Sequence, residues 1–231
     1  MSKDVFSLDI NDSGFFWNDA YLNRMNNRAQ RIFSFDPALI QDARVLDIGA
    51  RYGFWSWAAH QLGAAETVGI EGRQESANRG DKLMAPYKHD YLIGNAFDIM
   101  PKLADQGQTF DVMLNLGFYY HIYDHYGMLK LMDALKPKVI VIDSEIDDSD
   151  EPVVRIRKEK TWEPNNAIAE VEGQEFSAVG NASRGTIKLL AECFNYNVQW
   201  CDWSNLSNTE ECADYVNRQR FTCLLTKDSN A

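Results

Sequence analysis

No apolar run in this 231-residue chain approaches the roughly 20 residues needed to cross a bilayer, and the opening Met1-Ser2-Lys3-Asp4 lacks the apolar core of a secretory signal. These absences predict a cytoplasmic location and no membrane partner. Cysteine is scarce. Cys193, Cys201, Cys212 and Cys223 fall late in the chain without a C-x-x-C pair, which excludes a zinc ribbon and a redox dithiol and predicts reduced, buried thiols. Positive charge is short as well: 23 Lys and Arg against 34 Asp and Glu give a net charge of -11. A broad phosphate-binding surface needs clustered cations, so nucleic acid is disfavoured as a partner. There is no G-x-x-x-x-G-K-[ST] phosphate loop, no internal repeat and no low-complexity segment.

What is present is 45% hydrophobic residues, enough for one compact domain over 1–231. Hydrophobic runs at 44–48, 67–71, 89–94, 110–115 and 139–143 alternate with helical patterns at 54–62, 73–85, 98–104 and 126–135. That alternation predicts βαβ units and a parallel sheet. Residues 1–40 read as an N-terminal helical flap in which Asn18 or Asp19 caps a helix, with Phe16, Trp17, Tyr21 and Arg24 able to close over a ligand. Residues 41–143 form the ligand-binding core and 144–182 an insertion. Within the insertion, 152–160 alternates like a strand and 168–172 is its expected hairpin partner. Residues 183–231 supply helices at 183–194 and 209–217 and strands at 197–203 and 219–226.

The most informative phrase is Arg44-Val45-Leu46-Asp47-Ile48-Gly49-Ala50-Arg51-Tyr52-Gly53, followed by a helix start at Phe54. A strand, a glycine turn and a helix N-terminus together present backbone N–H groups and a carboxylate at a sheet edge. A dinucleotide fingerprint starting at Gly49 would need glycine where Arg51 and Phe54 stand, which disfavours an NAD(P)-dependent oxidoreductase or epimerase. Glu71 ends the next strand about 20 residues on and suits ribose hydroxyls. Asp47, beside the turn, suits a ligand carrying positive charge.

These residues resemble the class I S-adenosylmethionine-dependent methyltransferases. Val45 to Gly53 is similar to their first motif, Val68-Gly69-Ile70-Glu71-Gly72 to the ribose-binding acid, and Gly94-Asn95-Ala96-Phe97-Asp98 to the loop flanking adenine. Phe110 to Gly117 resembles the fourth motif and Leu135 to Val141 the entry to the fifth strand. The resemblance covers roughly 44–143. It departs from the family at Arg51 and Lys138, where glycine is usual.

The resemblance implies a three-layer α/β/α, Rossmann-like fold with a seven-stranded, mainly parallel sheet whose last strand is antiparallel. It implies S-adenosylmethionine as cofactor, held by Asp47, Gly49, Ala50, Gly53, Phe54, Glu71, Gly72 and Arg73 and then by Asn95, Ala96, Phe97, Asn115, Leu116 and Gly117. The methyl group would lie by Tyr119-Tyr120-His121, where His121, with Tyr120, is the candidate base or substrate-orienting pair, since an imidazole titrates near neutrality. Tyr119, Tyr120, Arg155 and Trp162 are the candidate substrate contacts; Arg155 and Arg157 share one strand face. His125 is expected to face solvent on the following helix, and no third ligand makes a metal site of the two histidines. The fourth motif lacks the Pro-Pro-aromatic core used on nucleobase amines, which points to a hydroxyl or amine of a small molecule. A looser likeness to methyltransferases of tRNA wobble uridine is opposed by the negative charge. A non-catalytic S-adenosylmethionine-binding protein is the other alternative.

Overall fold

The structure is a computed structural model that describes residues 18–34, 37–204 and 210–227. Helix α1 (Asp19–Ile32) is started by Asn18, whose side chain accepts the Tyr21 amide, and it lays Leu22, Met25, Ala29 and Ile32 against the core. Five strands follow: β1 (Arg44–Ile48), β2 (Glu66–Glu71), β3 (His89–Ile93), β4 (Val112–Leu116) and β5 (Val139–Glu145). Between them lie α2 (Phe54–Gln61), α3 (Gln74–Met84), α4 (Ala96–Asp105) and α5 (His125–Ala134). Strands β1, β4 and β5 are almost wholly buried, as their largely aliphatic composition suits strands covered on both faces, with Asp47, Asn115 and Asp143 among the buried polar exceptions.

The insertion contributes β6 (Val154–Lys160) and β7 (Phe176–Ala182), and the chain closes with α6 (Arg184–Cys193), β8 (Tyr196–Trp200), the short α7 (Ala213–Val216) and β9 (Arg220–Lys227). The main sheet has the order β3-β2-β1-β4-β5-β9-β8. β1 to β5 are mutually parallel, and β9 runs antiparallel to both neighbours. The expected three-layer sheet with one reversed last strand is therefore the observed fold. One apolar layer joins α1, α2 and α3 to the sheet through Met25, Ile32, Trp55, Ala58 and Met84; the other joins α4, α5 and α6 through Met100, Met128, Met132 and Ile187. Strand order reverses between β1 and β4, so the crevice for a ligand opens outside their C-terminal ends.

Two expectations are corrected. The partner of β6 is Phe176–Ala182, in register from Val154↔Ala182 to Lys160↔Phe176, and not 168–172. Residues 161–175 instead form a loop over the sheet edge, because the Arg73 guanidinium draws the carbonyls of Thr161, Glu163 and Asn166 toward the end of β2. All four cysteines are free; Cys212 and Cys223 are buried and Cys201 half-buried, while Cys193, at the last turn of α6, is exposed.

A buried ionic network ties α1, α7 and β9 to the end of β5. The Asp143 carboxylate at the end of β5 is fully buried. It accepts from Arg28 at 2.8 Å, Arg220 at 2.9 Å, Tyr215 at 2.7 Å and Thr222 at 2.6 Å. Burial opposes its ionisation, but the two guanidinium charges and the two hydroxyl donors outweigh burial and hold its carboxyl down at about 2. Arg28 also donates to the Tyr215 hydroxyl at 2.7 Å and lies over the Trp55 ring. Asp143→Ala leaves Arg28 and Arg220 buried around an absent partner, and unfolding in urea should show a loss of about 3–5 kcal/mol. A loss below about 1 kcal/mol would mean the network is not a structural requirement.

Candidate functional site

The turn after β1 is shaped by backbone geometry and one carboxylate. Gly49 and Ala50 both donate to the Ile70 carbonyl at 2.9 Å, which folds the chain back over β2. Gly49 takes φ 76, and a Cβ there would meet the Phe118 side chain at 2.9 Å, so positions 49 and 118 are packed without room for a side chain. Arg51 takes φ 51 in the same left-handed region, at a cost of roughly 1–2 kcal/mol for a residue with a Cβ. Its amide donates to the Glu71 carboxylate at 2.9 Å, which supports that conformation. The Arg73 amide donates to the other Glu71 oxygen at 2.8 Å. Glu71 therefore joins the turns that follow β1 and β2, and its remaining lone pairs are available to a ligand.

Outside these strand ends lies a cavity of about 700 Å³, within the usual range for a bound small molecule. Its floor includes Gly49, Arg51, Glu71, Gly72 and Arg73. One wall is the turn Gly94, Asn95, Ala96, Phe97 and Asp98, where Asn95 caps α4 by accepting the Phe97 amide at 3.0 Å. The opposite wall is Gly117, Phe118, Tyr120 and His121 after β4. Asn166, Ala167 and Ile168 of the insertion loop form the roof, with the Ile168 side chain resting on Gly72.

His121 lies on this wall. Its Nδ1 lies 2.7 Å from Glu159 Oε2, and the same oxygen accepts the Ala167 amide at 3.0 Å. Arg157 bonds the other Glu159 oxygen. Burial opposes ionisation of Glu159, yet the hydrogen bonds from His121, Ala167 and Arg157 outweigh it and hold the carboxyl down at about 2. An ionised Glu159 can only accept, so Nδ1 of His121 carries the hydrogen and the lone pair is left on Nε2. Nε2 has no protein partner among the described residues. Tyr120 stacks obliquely on His121 at 4.1 Å, and the Arg220 guanidinium lies 5.1 Å from the Tyr120 ring, which connects this wall to the Asp143 network.

Several candidates stand elsewhere. Arg155 is 77% exposed in its side chain and pairs with Asp147 at 2.7 Å, and Trp162 is exposed with its ring edge-on to Phe176; neither lines the cavity. The face of β6 that points inward carries Glu159, and its charge captures Arg157 while Arg155 reaches outward to the loop before β6. Tyr119 is buried in the core, not on the cavity wall. His125, expected in solvent, is buried: its Nε2 donates to the Tyr119 carbonyl at 3.1 Å and its ring packs on Tyr119. Arg24 pairs with Asp214 at 2.7 Å, while Phe16 and Trp17 lie outside the described residues.

Asp47, Ala50, Gly53, Phe54, Asn115 and Leu116 lie behind the cavity surface. Asp47 accepts from the Ser56 amide at 3.1 Å and hydroxyl at 2.8 Å, pinning the start of α2, and its other oxygen has no partner among the described residues. The Asn115 side chain is fully buried with both polar atoms unpaired. Glu159 and the roof residues went unrecognised in the sequence; the one signal was that Glu159 shares the strand parity of Arg155 and Arg157. Among the described residues no cluster of His, Cys, Asp and Glu could hold a metal ion, and no helix is long and apolar enough to cross a membrane.

No family model matches the sequence, and no curated protein matches it. Solved structures do. The N-terminal domain of EvdMO1, determined in the presence of S-adenosylhomocysteine and D-fucose, is 16% identical with a TM-score of 0.63, over 87% of this chain and 82% of that one. A putative S-adenosylmethionine-dependent methyltransferase from Listeria monocytogenes is 12% identical with a TM-score of 0.62, over 90% and 98%. A putative RNA methyltransferase from Pyrococcus horikoshii is 15% identical with a TM-score of 0.51, over 87% and 84%. The chain thus has the class I, Rossmann-like fold of S-adenosylmethionine-dependent methyltransferases.

The turn can be tested through Asp47, whose carboxyl is pushed by burial from 3.8 up to about 7. Between those values the unfolded chain has released the proton and the folded chain has kept it. The stability this group contributes is full below about pH 4 and is lost as pH rises through 7. Relative to Asp47→Asn, the parent protein should lose a few kcal/mol between pH 4 and pH 8, at up to about 1.4 kcal/mol per unit. Parallel stability curves for the two proteins would refute the buried, protonated state.

Proposed function

We propose that the protein is an S-adenosylmethionine-dependent methyltransferase that acts on a hydroxyl group of a small molecule, with His121 as the base. The observation that carries this reading is the placement of Glu71 and the Glu159-backed His121 around one cavity, at the switch point of a sheet of methyltransferase topology. The residues present fit the cofactor. Glu71, held by two backbone amides, keeps lone pairs for ribose hydroxyls, and Asn95 to Phe97 offer a flat, partly apolar wall for a base. The unpaired, buried amide of Asn115 lies where β4 delivers the chain to this wall, consistent with polar company that protein atoms do not supply. When bound, the cofactor supplies an electrophilic methyl group on a sulfonium.

The chain's own part is to bind, orient and take a proton. A hydroxyl needs its proton removed as it attacks, and Nε2 of His121 is the bare acceptor on the wall. Glu159 then faces the imidazolium with a compensating charge. Two features favour an uncharged acceptor over a polyanion such as RNA. Of the two arginines lining the cavity, Arg73 is committed to carbonyls of the loop, and Asp98, Asp124 and Glu170 add negative charge to the walls. The D-fucose present with the EvdMO1 domain supports a hydroxylated small molecule of this kind.

Calorimetry with S-adenosylhomocysteine should show binding to the parent protein and at least tenfold weaker binding to Glu71→Ala, as expected for losing hydrogen bonds to a charged group. Equal affinities would remove Glu71 from the site, and no binding by the parent would remove the reading as a whole. Screening metabolite extracts for a mass gain of one methylene identifies the acceptor. On that acceptor, His121→Ala should lower turnover about 10²- to 10⁴-fold without weakening cofactor binding.

A further inference from the structure

Glu159 is supplied by the insertion, not by the sheet that defines the fold, and yet it is the group on which His121 rests. We propose that Glu159 is a positioning residue that fixes the proton-accepting tautomer of His121, and that it does so only while loop 161–175 is closed over the cavity. The proposal rests on the reading of His121 as the base.

The carboxylate stands between two parts of the site. Its side chain is only 6% exposed, and Oε2 holds the His121 Nδ1–H and the Ala167 N–H together. Ala167 belongs to the roof of the cavity. The roof is otherwise held by Arg73, which donates to the carbonyls of Asn166 at 2.9 Å and of Thr161 and Glu163 at 3.0 Å, and by the contact of Ile168 with Gly72. These anchors are polar bonds of about 1 kcal/mol net each, with little apolar burial behind them. Bonds so few and so polar let the loop part from the turn after β2. When they part, Glu159 loses the Ala167 amide and regains water, and a hydrated carboxylate with a free rotamer no longer holds Nδ1. Closure of the loop and preparation of the base are then one event, since a single oxygen serves both. The alternative is that Glu159 only pairs with Arg157 along β6 and tethers Ala167 of the loop, with no hold on the His121 tautomer.

The two readings separate by nuclear magnetic resonance on the full chain with ¹⁵N-labelled histidine, without any acceptor. Long-range ¹H–¹⁵N spectra report the tautomer of His121, assigned with His121→Ala, and hydrogen exchange reports the Ala167 amide. The parent protein should show Nδ1–H with a bare Nε2 and a protected Ala167 amide. Glu159→Ala should mix the tautomers and speed Ala167 exchange at least tenfold. Arg73→Ala, which leaves Glu159 in place but frees the roof, should do both as well. A His121 tautomer unchanged in Glu159→Ala overturns the positioning role, and one unchanged in Arg73→Ala with fast Ala167 exchange overturns the coupling. Should Glu159→Ala fail to fold, Arg73→Ala decides alone. Failure of S-adenosylhomocysteine to bind in calorimetry would overturn the proposed function instead, because the tautomer and exchange measurements are made without it.

Discussion

A carboxylate buried without water must be fully paired or it does not stay ionised, and the rest of this structure is arranged around one such group. Asp143 draws Arg28 from α1, Tyr215 from α7, and Arg220 and Thr222 from β9 onto the end of β5. Segments far apart in the chain are thereby held to one point of the sheet. The Asp143 carbonyl also accepts the Gly117 amide at 2.8 Å, and Arg220 reaches the Tyr120 ring. The wall that carries His121 therefore departs from a place where the backbone is held by both electrostatics and sheet pairing.

The other side of the site is organised by a second carboxylate in a similar way. Glu71 joins the turns after β1 and β2 through the amides of Arg51 and Arg73. That explains how an arginine is tolerated at a left-handed position that glycine would occupy without strain: the bond to Glu71 offsets part of the conformational cost. Arg73 then reaches from this turn to the insertion, whose loop becomes the roof and whose strand delivers Glu159 to His121. Three acids near three strand ends, Glu71, Asp143 and Glu159, thus hold the floor of the cavity, the end of β5 and the wall that carries His121.

Much of this could be read before the coordinates. The first strand was placed with its observed bounds, and the order of strands and helices through β5 followed from hydrophobic runs separated by helical periods. Such runs are visible because parallel strands buried on both faces are mostly apolar, with the few polar residues near their ends. The insertion was harder. Val154–Lys160 is mostly charged, so its pattern does not say which face turns inward, and Ile168 to Glu172 looked as strand-like as the true partner Phe176–Ala182. Arg155 and Trp162 were candidates on chemical grounds and stand outside the cavity, while Glu159, their neighbour, backs a histidine that lines it. His125 was expected in solvent because a polar residue at a helix start has that default; the Tyr119 carbonyl and ring overrode it.

The amino-acid sequence by itself determined the sheet, the glycine turn, the acid at the end of β2 and the presence of His121 after β4, since each depends on residues near one another in the chain and on local periodicity. Only the tertiary structure decided what stands behind His121 and over the cavity. Glu159 is 38 residues away from it, and Arg73 about 90 from the loop it holds. Contacts between charged groups so far apart leave no periodic trace, because one hydrogen-bonded pair can be satisfied by any two segments that the fold happens to bring together.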